Sequence, residues 1–150
     1  MATDSDMATD SPYLSEEIAN LFPDDITAEF WERCKRHALA FQCCANCGTF
    51  RHPPVDVCYV CRSTDTEWRE ISGEGTLYSF TIVTHAVHPA LLTRVPFNVA
   101  LVEFPDAPGV RLITNVVDTS PEDLEIGMPV RVQWEDLSNG QTLPRFVRRT

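Results

Sequence analysis

The chain is short of long apolar stretches, of lysine and of any familiar catalytic signature, and each shortage narrows what it can be. Its longest apolar runs, such as Val99-Ala100-Leu101-Val102, fall far below the ~18 residues that a membrane-spanning helix requires. A soluble protein is therefore expected. Six cysteines in 150 residues are too few for a disulfide-dense secreted scaffold, and the N-terminal residues lack the basic start and apolar run of a signal peptide. The thiols are expected to be reduced and the protein cytoplasmic. No G-x-S-x-G elbow, Walker loop, dinucleotide glycine signature or H-E-x-x-H helix occurs, so nothing nominates an autonomous catalyst. A mass of 16.9 kDa leaves room for one ordinary globular unit or two very small ones.

Lys35 is the single lysine among twelve basic residues; the other eleven are arginines, whose planar fork suits phosphates and carboxylates. A GC-rich coding sequence is the simpler source of that bias. The formal charge of -10 would argue against a phosphate-backbone ligand, but its distribution weakens the argument. Residues 1–32 hold nine acids and no base, and the rest of the chain is close to neutral.

Met1–Ser5 recurs as Met7–Ser11, which makes Met7 a candidate alternative start. The acidic Ser/Thr/Asp-rich stretch to about Ser11 cannot bury enough apolar surface to order itself, and mobility is expected there. Thr27 can cap a helix running to about Arg36, with Ile26, Phe30, Cys34 and Ala38 at successive i+4 positions and Trp31 widening the stripe. On that stripe Cys34 reads as a packed core thiol.

Beyond Trp68 the period changes. Leu77–Thr84, Phe97–Phe104, Val110–Val117, Val130–Glu135 and Leu143–Arg148 are short β-branched or aromatic runs divided by Gly, Pro and Asp turns. In Val130–Glu135 strict alternation puts Val130, Val132 and Trp134 on the core face. Between the third and fourth runs, Ser120 to Gly127 carries an N-cap serine, proline at the first helical position and a terminating glycine, which predicts a short helix. Five antiparallel strands with one small helix between the third and fourth match an OB-type barrel. The expected organisation is an acidic, partly disordered tail over 1–25, an N-terminal helix and metal ribbon over 26–70, and an OB-fold domain over 71–150.

The most specific feature is Cys44-Ala45-Asn46-Cys47-Gly48 followed by Cys58-Tyr59-Val60-Cys61. Two C-x2-C pairs suit one tetrahedral metal, because each turn presents two sulfurs about 2.3 Å from the ion. Cys44, Cys47, Cys58 and Cys61 are the expected ligands. Gly48 follows the first knuckle, where a left-handed residue lets amides approach sulfur, whereas Arg62 stands in that place after the second. A closed four-cysteine site keeps no open coordination position and reads as one structural zinc per chain, with iron the rival metal. Cys43 is the rival ligand to Cys44, and a dithiol exchange role for Cys44 and Cys47 is the rival chemistry.

Other candidates are weaker. His85 and His88 are three apart in a loop but have no third ligand near in sequence, so no metal site is assigned to them. Asn98 and Asn115 are polar residues inside apolar strands, which points either to a ligand or to a satisfied barrel asparagine. Arg51, beside His52 and the Pro53-Pro54 turn, is a candidate for an exposed contact to a phosphate or a partner carboxylate.

The order of Phe30-Trp31-Glu32, the two cysteine pairs around Arg51-His52-Pro53-Pro54, Gly75 to Thr81, Val99 to Glu103 and Ile126 to Val130 resembles a known family. It is that of zinc-ribbon plus OB-fold proteins associated with acyl-CoA metabolism, and the resemblance spans about Thr27 to Arg149. It implies a mainly β protein with an N-terminal helix, a rubredoxin-like zinc ribbon and a five-stranded OB-fold barrel. It also implies a non-catalytic subunit that partners a thiolase-like enzyme and helps to enclose an acyl-CoA thioester, as a hetero-oligomer of two copies of each chain. Within the family, pairs from steroid side-chain degradation resemble aldolases that cleave a β-hydroxyacyl-CoA. Two rivals remain in view: a single-stranded nucleic-acid-binding ribbon and barrel, disfavoured by the scattered arginines of an acidic barrel segment, and a rubredoxin-like electron carrier.

Overall fold

A computed structural model describes residues 12–150; the expectations for the repeat and mobile stretch up to Ser11, and for Met7 as a start, lie outside the described residues. Among the described residues there are one α-helix, α1 (Ala28–Lys35), and eight strands: β1 (Ala40–Cys44), β2 (Phe50–Arg51), β3 (Thr66–Glu70), β4 (Glu74–Val83), β5 (Phe97–Phe104), β6 (Ala107–Thr114), β7 (Pro129–Asp136) and β8 (Thr142–Arg148).

Phe30 and Cys34 bury the predicted stripe of α1, while Ile26 stays 39% exposed ahead of the helix. The capping chemistry differs from expectation. Thr27 makes no side-chain cap; instead Asp24 Oδ1 accepts from the Ile26 and Thr27 amides and from the Thr27 hydroxyl, at 3.0, 2.8 and 2.9 Å. Thr27 Oγ1 returns the favour to the Asp24 amide at 3.1 Å, so the first turn is held by a reciprocal pair that begins one turn earlier. The helix ends where His37 takes a left-handed φ of 58°, with the His37 amide on the Cys34 carbonyl and the Ala38 amide on the Arg33 carbonyl.

The sequence reading named no strand in the ribbon. The structure has three, in the antiparallel order β2-β1-β3. Strand β1 is buried along its whole length, so its apolar run lacks the alternation by which strands are recognised.

The second sheet is five-stranded and antiparallel in the order β6-β5-β4-β7-β8. It curls until its ends meet: Asn115–Val117, just after β6, exchange hydrogen bonds with Phe146 on β8, in parallel, at 3.0 and 2.7 Å. These are the residues that sequence assigned to the end of the third strand; they close the barrel rather than extend β6. Strand β4 starts at Glu74 instead of Leu77 because Glu74–Thr76 pair with Pro129–Arg131 of β7. Pairing with β5 begins at Thr76, and a bulge at Tyr78 shifts its register by one residue. Val130 is buried, with Val132 and Trp134 packed against the core as alternation predicts. The helix expected over Ser120–Gly127 is only a 3-10 turn at Pro121–Asp123. Gly127 takes φ 92° and its amide bonds to the Leu77 carbonyl, so the segment is tied to β4 instead of winding on.

Ribbon and barrel share one core. Phe41 of β1 lies 5.4 Å from Phe104 of β5, which lies 5.8 Å from Phe146 of β8, and Phe30 and Cys34 of α1 join the same cluster. Ahead of α1, residues 12–21 lie along the barrel: the Tyr13 amide donates to Glu135, Glu16 accepts from Ser138, and the Leu21 amide and carbonyl bond the Gln141 side chain.

Candidate metal centre

Two knuckles of the same backbone design bring four thiols together. In the first, the Gly48 amide donates to the Cys44 carbonyl at 2.9 Å and the Cys44 amide to the Thr49 carbonyl at 2.9 Å. In the second, the Arg62 amide donates to the Cys58 carbonyl at 2.8 Å and the Cys58 amide to the Ser63 carbonyl at 2.9 Å. Gly48 has φ 80° and Arg62 φ 66°, so Arg62 adopts the left-handed conformation at its own steric cost and the second knuckle closes like the first.

The Sγ atoms of Cys44, Cys47, Cys58 and Cys61 all lie within 4.8 Å of one another, with Cys44–Cys61 at 3.5 Å and Cys47–Cys58 at 3.6 Å. A tetrahedron with 2.3 Å metal–sulfur bonds has edges of about 3.8 Å, so the donor set fits a tetrahedral ion and is soft enough for zinc or iron. Amides surround the sulfurs. The Cys47 amide donates to Cys44 Sγ, the Val60 amide to Cys58 Sγ and Asn46 Nδ2 to Cys61 Sγ, each at 3.4 Å. Donation from the Cys61 amide first, then from that of Val60, holds the Cys58 thiol down at about 6, the direction that favours the ligating thiolate. Cys43 is not part of the group: its Sγ lies 3.3 Å from the Gly48 carbonyl oxygen. Cys34 sits in the core, where burial pushes its thiol up to about 12.

The remaining sequence candidates fall elsewhere. Asn98 and Asn115 are buried and spent on the barrel's own backbone: Asn98 clamps Val116, donating to its carbonyl and accepting from its amide, and Asn115 donates to the Asn98 carbonyl. Arg145 on β8 donates to Asn115 Oδ1 and to Glu135, so the two asparagines belong to a buried network that holds the closing seam. Arg51 is not exposed as expected. It is 2% exposed, and its three guanidinium nitrogens have no hydrogen-bonding partner among the described residues. His52 is pressed between Phe30 and Phe41, and burial lowers it to about 4, which keeps it neutral. His88 accepts from the Ala90 amide, a local cap, and neither it nor His85 joins the cysteine group. Sequence reasoning passed over Val55, Val57, Tyr59 and Val60, which the second half of the ribbon exposes; their signal was apolar side chains beside knuckle cysteines.

Residues 31–67 match the model of the ChsH2 rubredoxin-like zinc ribbon domain, and residues 68–135 that of the ChsH2 C-terminal OB-fold domain. A DUF35 domain-containing scaffold protein of Methanocaldococcus jannaschii is 33% identical over 115 residues, covering 75% of this chain and 79% of that one. The chain belongs to the DUF35/ChsH2 family.

Among solved structures, the Ltp2-ChsH2(DUF35) aldolase superposes with a TM-score of 0.77 at 38% identity, covering 86% of this chain and 98% of the matched one. A "probable enoyl-CoA hydratase alpha subunit" of Thermomonospora curvata is 43% identical over 118 residues, 78% of this chain but 36% of that protein. The 3-oxo-4,17-pregnadiene-20-carboxyl-CoA hydratase alpha subunit of Mycobacterium tuberculosis is 40% identical over 111 residues, 73% of this chain and 34% of that protein. The chain thus spans about a third of the length of both hydratase subunits. Among the described residues, no helix is long and apolar enough to cross a membrane.

Proposed function

We propose that this DUF35/ChsH2 chain is a non-catalytic accessory subunit of an acyl-CoA-processing complex, built with a thiolase-like partner that acts as an aldolase on a β-hydroxyacyl-CoA in steroid side-chain degradation. The observation that carries the reading is the likeness to the Ltp2-ChsH2(DUF35) aldolase, which extends over 98% of the matched chain at 38% identity. Names of the hydratase alpha subunits point the same way, towards CoA thioesters and, in one case, a steroid skeleton. Retro-aldol cleavage takes the β-hydroxyl proton, breaks the Cα–Cβ bond to give a carbonyl and a thioester enolate, and returns a proton to that enolate. We assign the base and the oxyanion hole to the partner, because the buried polar side chains of this barrel are engaged in holding its seam.

Cys44, Cys47, Cys58 and Cys61 are the proposed ligands of one structural zinc. Bound there, zinc supplies rigidity and no open coordination position. The chain's own residues fix the two knuckles through the amides of Cys47, Val60, Gly48 and Arg62. This chain's part in the reaction is to scaffold the partner and to help enclose the thioester, in the cytoplasm.

The test is affinity purification of the tagged chain from its native host, with mass spectrometry and metal analysis on one sample. A stoichiometric thiolase-like chain, one zinc per copy and retro-aldol activity confined to the complex are expected. A lone protein, an iron-coloured one, or one accompanied by nucleic acid would overturn the reading.

A further inference from the structure

The four thiols of the ribbon are not equivalent. Cys44 and Cys58 are buried, Cys61 is half-buried and Cys47 is exposed. Three of the four sulfurs also receive a nitrogen donor: Cys44 from the Cys47 amide, Cys58 from the Val60 amide and Cys61 from Asn46 Nδ2, each at 3.4 Å. Among the described residues no N–H group donates to Cys47 Sγ; its polar neighbour is the Thr49 hydroxyl at 3.1 Å, which can rotate where a knuckle amide cannot. The difference lies in the sequence between the cysteines. Asn46 reaches from the first knuckle across to Cys61, but the corresponding place in the second knuckle holds Val60, whose side chain has no donor to send back to Cys47. A hydrogen bond donated to a thiolate draws off the electron density with which it attacks, and burial keeps reagents away from it. Both effects spare Cys47.

A second sulfur stands beside it. Cys47 Sγ lies 3.6 Å from Cys58 Sγ, and Cys44 Sγ 3.5 Å from Cys61 Sγ. These approaches run between the knuckles, not within the C-x2-C pairs that spacing alone singles out for dithiol chemistry. The other two thiols of the chain, Cys34 and Cys43, are buried and stand outside the four-thiol group.

We propose that hydrogen peroxide oxidises the ribbon at Cys47, left reactive by Val60 in the place of a donor, and that Cys58 then closes a Cys47–Cys58 disulfide with loss of the metal. The inference rests on the four-thiolate zinc reading and is independent of the partner. In the first step the Cys47 thiolate attacks one peroxide oxygen. The S–O bond forms, the O–O bond breaks, two electrons pass from sulfur to peroxide, and the second oxygen leaves as hydroxide, giving the sulfenic acid. The Cys58 thiolate then attacks the Cys47 sulfur; the S–S bond forms, the S–O bond breaks and a second hydroxide leaves. Two of the four ligands are consumed, so zinc is released with its oxidation state unchanged, and the folding energy that it supplies to the ribbon goes with it.

The test takes the full chain purified with its metal and titrates it with hydrogen peroxide. Zinc release is followed with a chromogenic chelator, sulfenic acid is trapped with dimedone, and cysteine linkages are mapped by mass spectrometry. Expected are one zinc released for each pair of thiols lost, the trap first on Cys47, and a Cys47–Cys58 disulfide that a thiol reductant reverses. Val60→Asn, which puts in the second knuckle the donor that Asn46 supplies in the first, is expected to slow zinc release several-fold from the same starting zinc content. Should Val60→Asn itself lose zinc, the order of trapping in wild type decides. A Cys44–Cys47 disulfide, a trap first on another cysteine, unaltered release from zinc-loaded Val60→Asn, or zinc retained through excess peroxide would each overturn the inference while leaving the zinc site intact. A purified chain without zinc would overturn the zinc reading and this inference with it.

Discussion

His37 Nε2 lies 2.9 Å from Asp136 Oδ1, and the His37 ring stacks 5.5 Å from that of Trp134 with 5° between their planes. One residue at the left-handed end of α1 thus meets two residues of β7, and joins the helix that leads into the ribbon to the barrel. The contact exists because the helix stops at His37: a φ of 58° there aims the side chain across to the strand.

Asp136 gives that clasp a pH dependence. The hydrogen bond from His37, then that from Thr142, holds its carboxyl below the usual range. A carboxylate depressed in the folded state stabilises it above the unfolded value of about 3.9 and stops doing so as pH falls through the folded value. Stability measured by urea titration is therefore expected to exceed that of Asp136→Asn from neutral pH down to about pH 4, with the gap closing below it. Both side chains are largely solvent-exposed, so the gap is roughly 0.2–1 kcal/mol. A gap that persisted undiminished at pH 2 would contradict the clasp.

A larger effect is expected at Arg145. Its Nε donates to Glu135 at 3.0 Å, with side chains 10% and 9% exposed, its NH1 donates to Asn115, and its guanidinium lies 5.7 Å from the Tyr13 ring. Arg145→Met takes the guanidinium from a buried carboxylate and is expected to cost about 3–5 kcal/mol in chemical denaturation. Adding Glu135→Leu is expected to restore much of that loss. Because the Tyr13 amide also donates to Glu135, faster hydrogen exchange over residues 12–21 is expected to accompany the double change, which removes that acceptor.

Legibility in the sequence followed periodicity and spacing. Val130–Glu135 and Phe97–Phe104 could be read because alternating or β-branched runs end at clear turns, and the cysteine group because two C-x2-C pairs at short separation admit few geometries. The ribbon strands could not: β1 is buried along its length, and β2 is only two residues long. Pro121–Asp123 had every helix-start signal, yet the Gly127 amide bonds to β4, a tertiary contact that local signals do not carry. Asn98 and Asn115 were visible as polar residues in apolar strands, but only the fold shows that their partners are the backbone of a closing seam. Arg51 misled for a related reason, since lying between two knuckles resembles loop exposure and β2 instead packs it inside.

Gly75 pairs with Val130 of β7, one residue before Thr76, where β4 is paired with β7 and β5 at once. A Cβ there would lie 2.5 Å from the Glu103 carbonyl oxygen and 2.8 Å from Val102 Cγ1, and a backbone carbonyl in a sheet has little freedom to retreat. Gly75→Ala is expected to destabilise the fold by about 1–3 kcal/mol, the usual cost of overpacking. Gly109→Ala is a useful contrast: open space surrounds it, and only its φ of 88° opposes a side chain. Thermal unfolding of the two variants separates the steric cost from the conformational one, and a Gly75→Ala protein as stable as wild type would show that β4 and β5 can part without penalty.

Cys43 and Cys44 are neighbours on β1, yet their thiols are predicted to behave oppositely. Cys44 Sγ lies 3.5 Å from Cys61 Sγ within the four-thiol group, whereas Cys43 Sγ is 3.3 Å from the Gly48 carbonyl oxygen. Cys44→Ser and Cys58→Ser each remove one soft ligand, and metal release under mild chelation is expected, with unfolding of the ribbon; four-thiolate zinc in small domains contributes ~10–16 kcal/mol. Cys43→Ser places a hydroxyl near an acceptor it can reach, and one metal per chain is expected to remain. Metal analysis before and after chelator dialysis, followed by a melt, distinguishes the three. Retention of metal by Cys44→Ser together with its loss from Cys43→Ser would transfer the ligand to Cys43 and require β1 to slip by one residue. Such a slip would exchange the two faces of the strand and carry Phe41 out of its contact with Phe104, so the register that builds the shared core is also what selects Cys44.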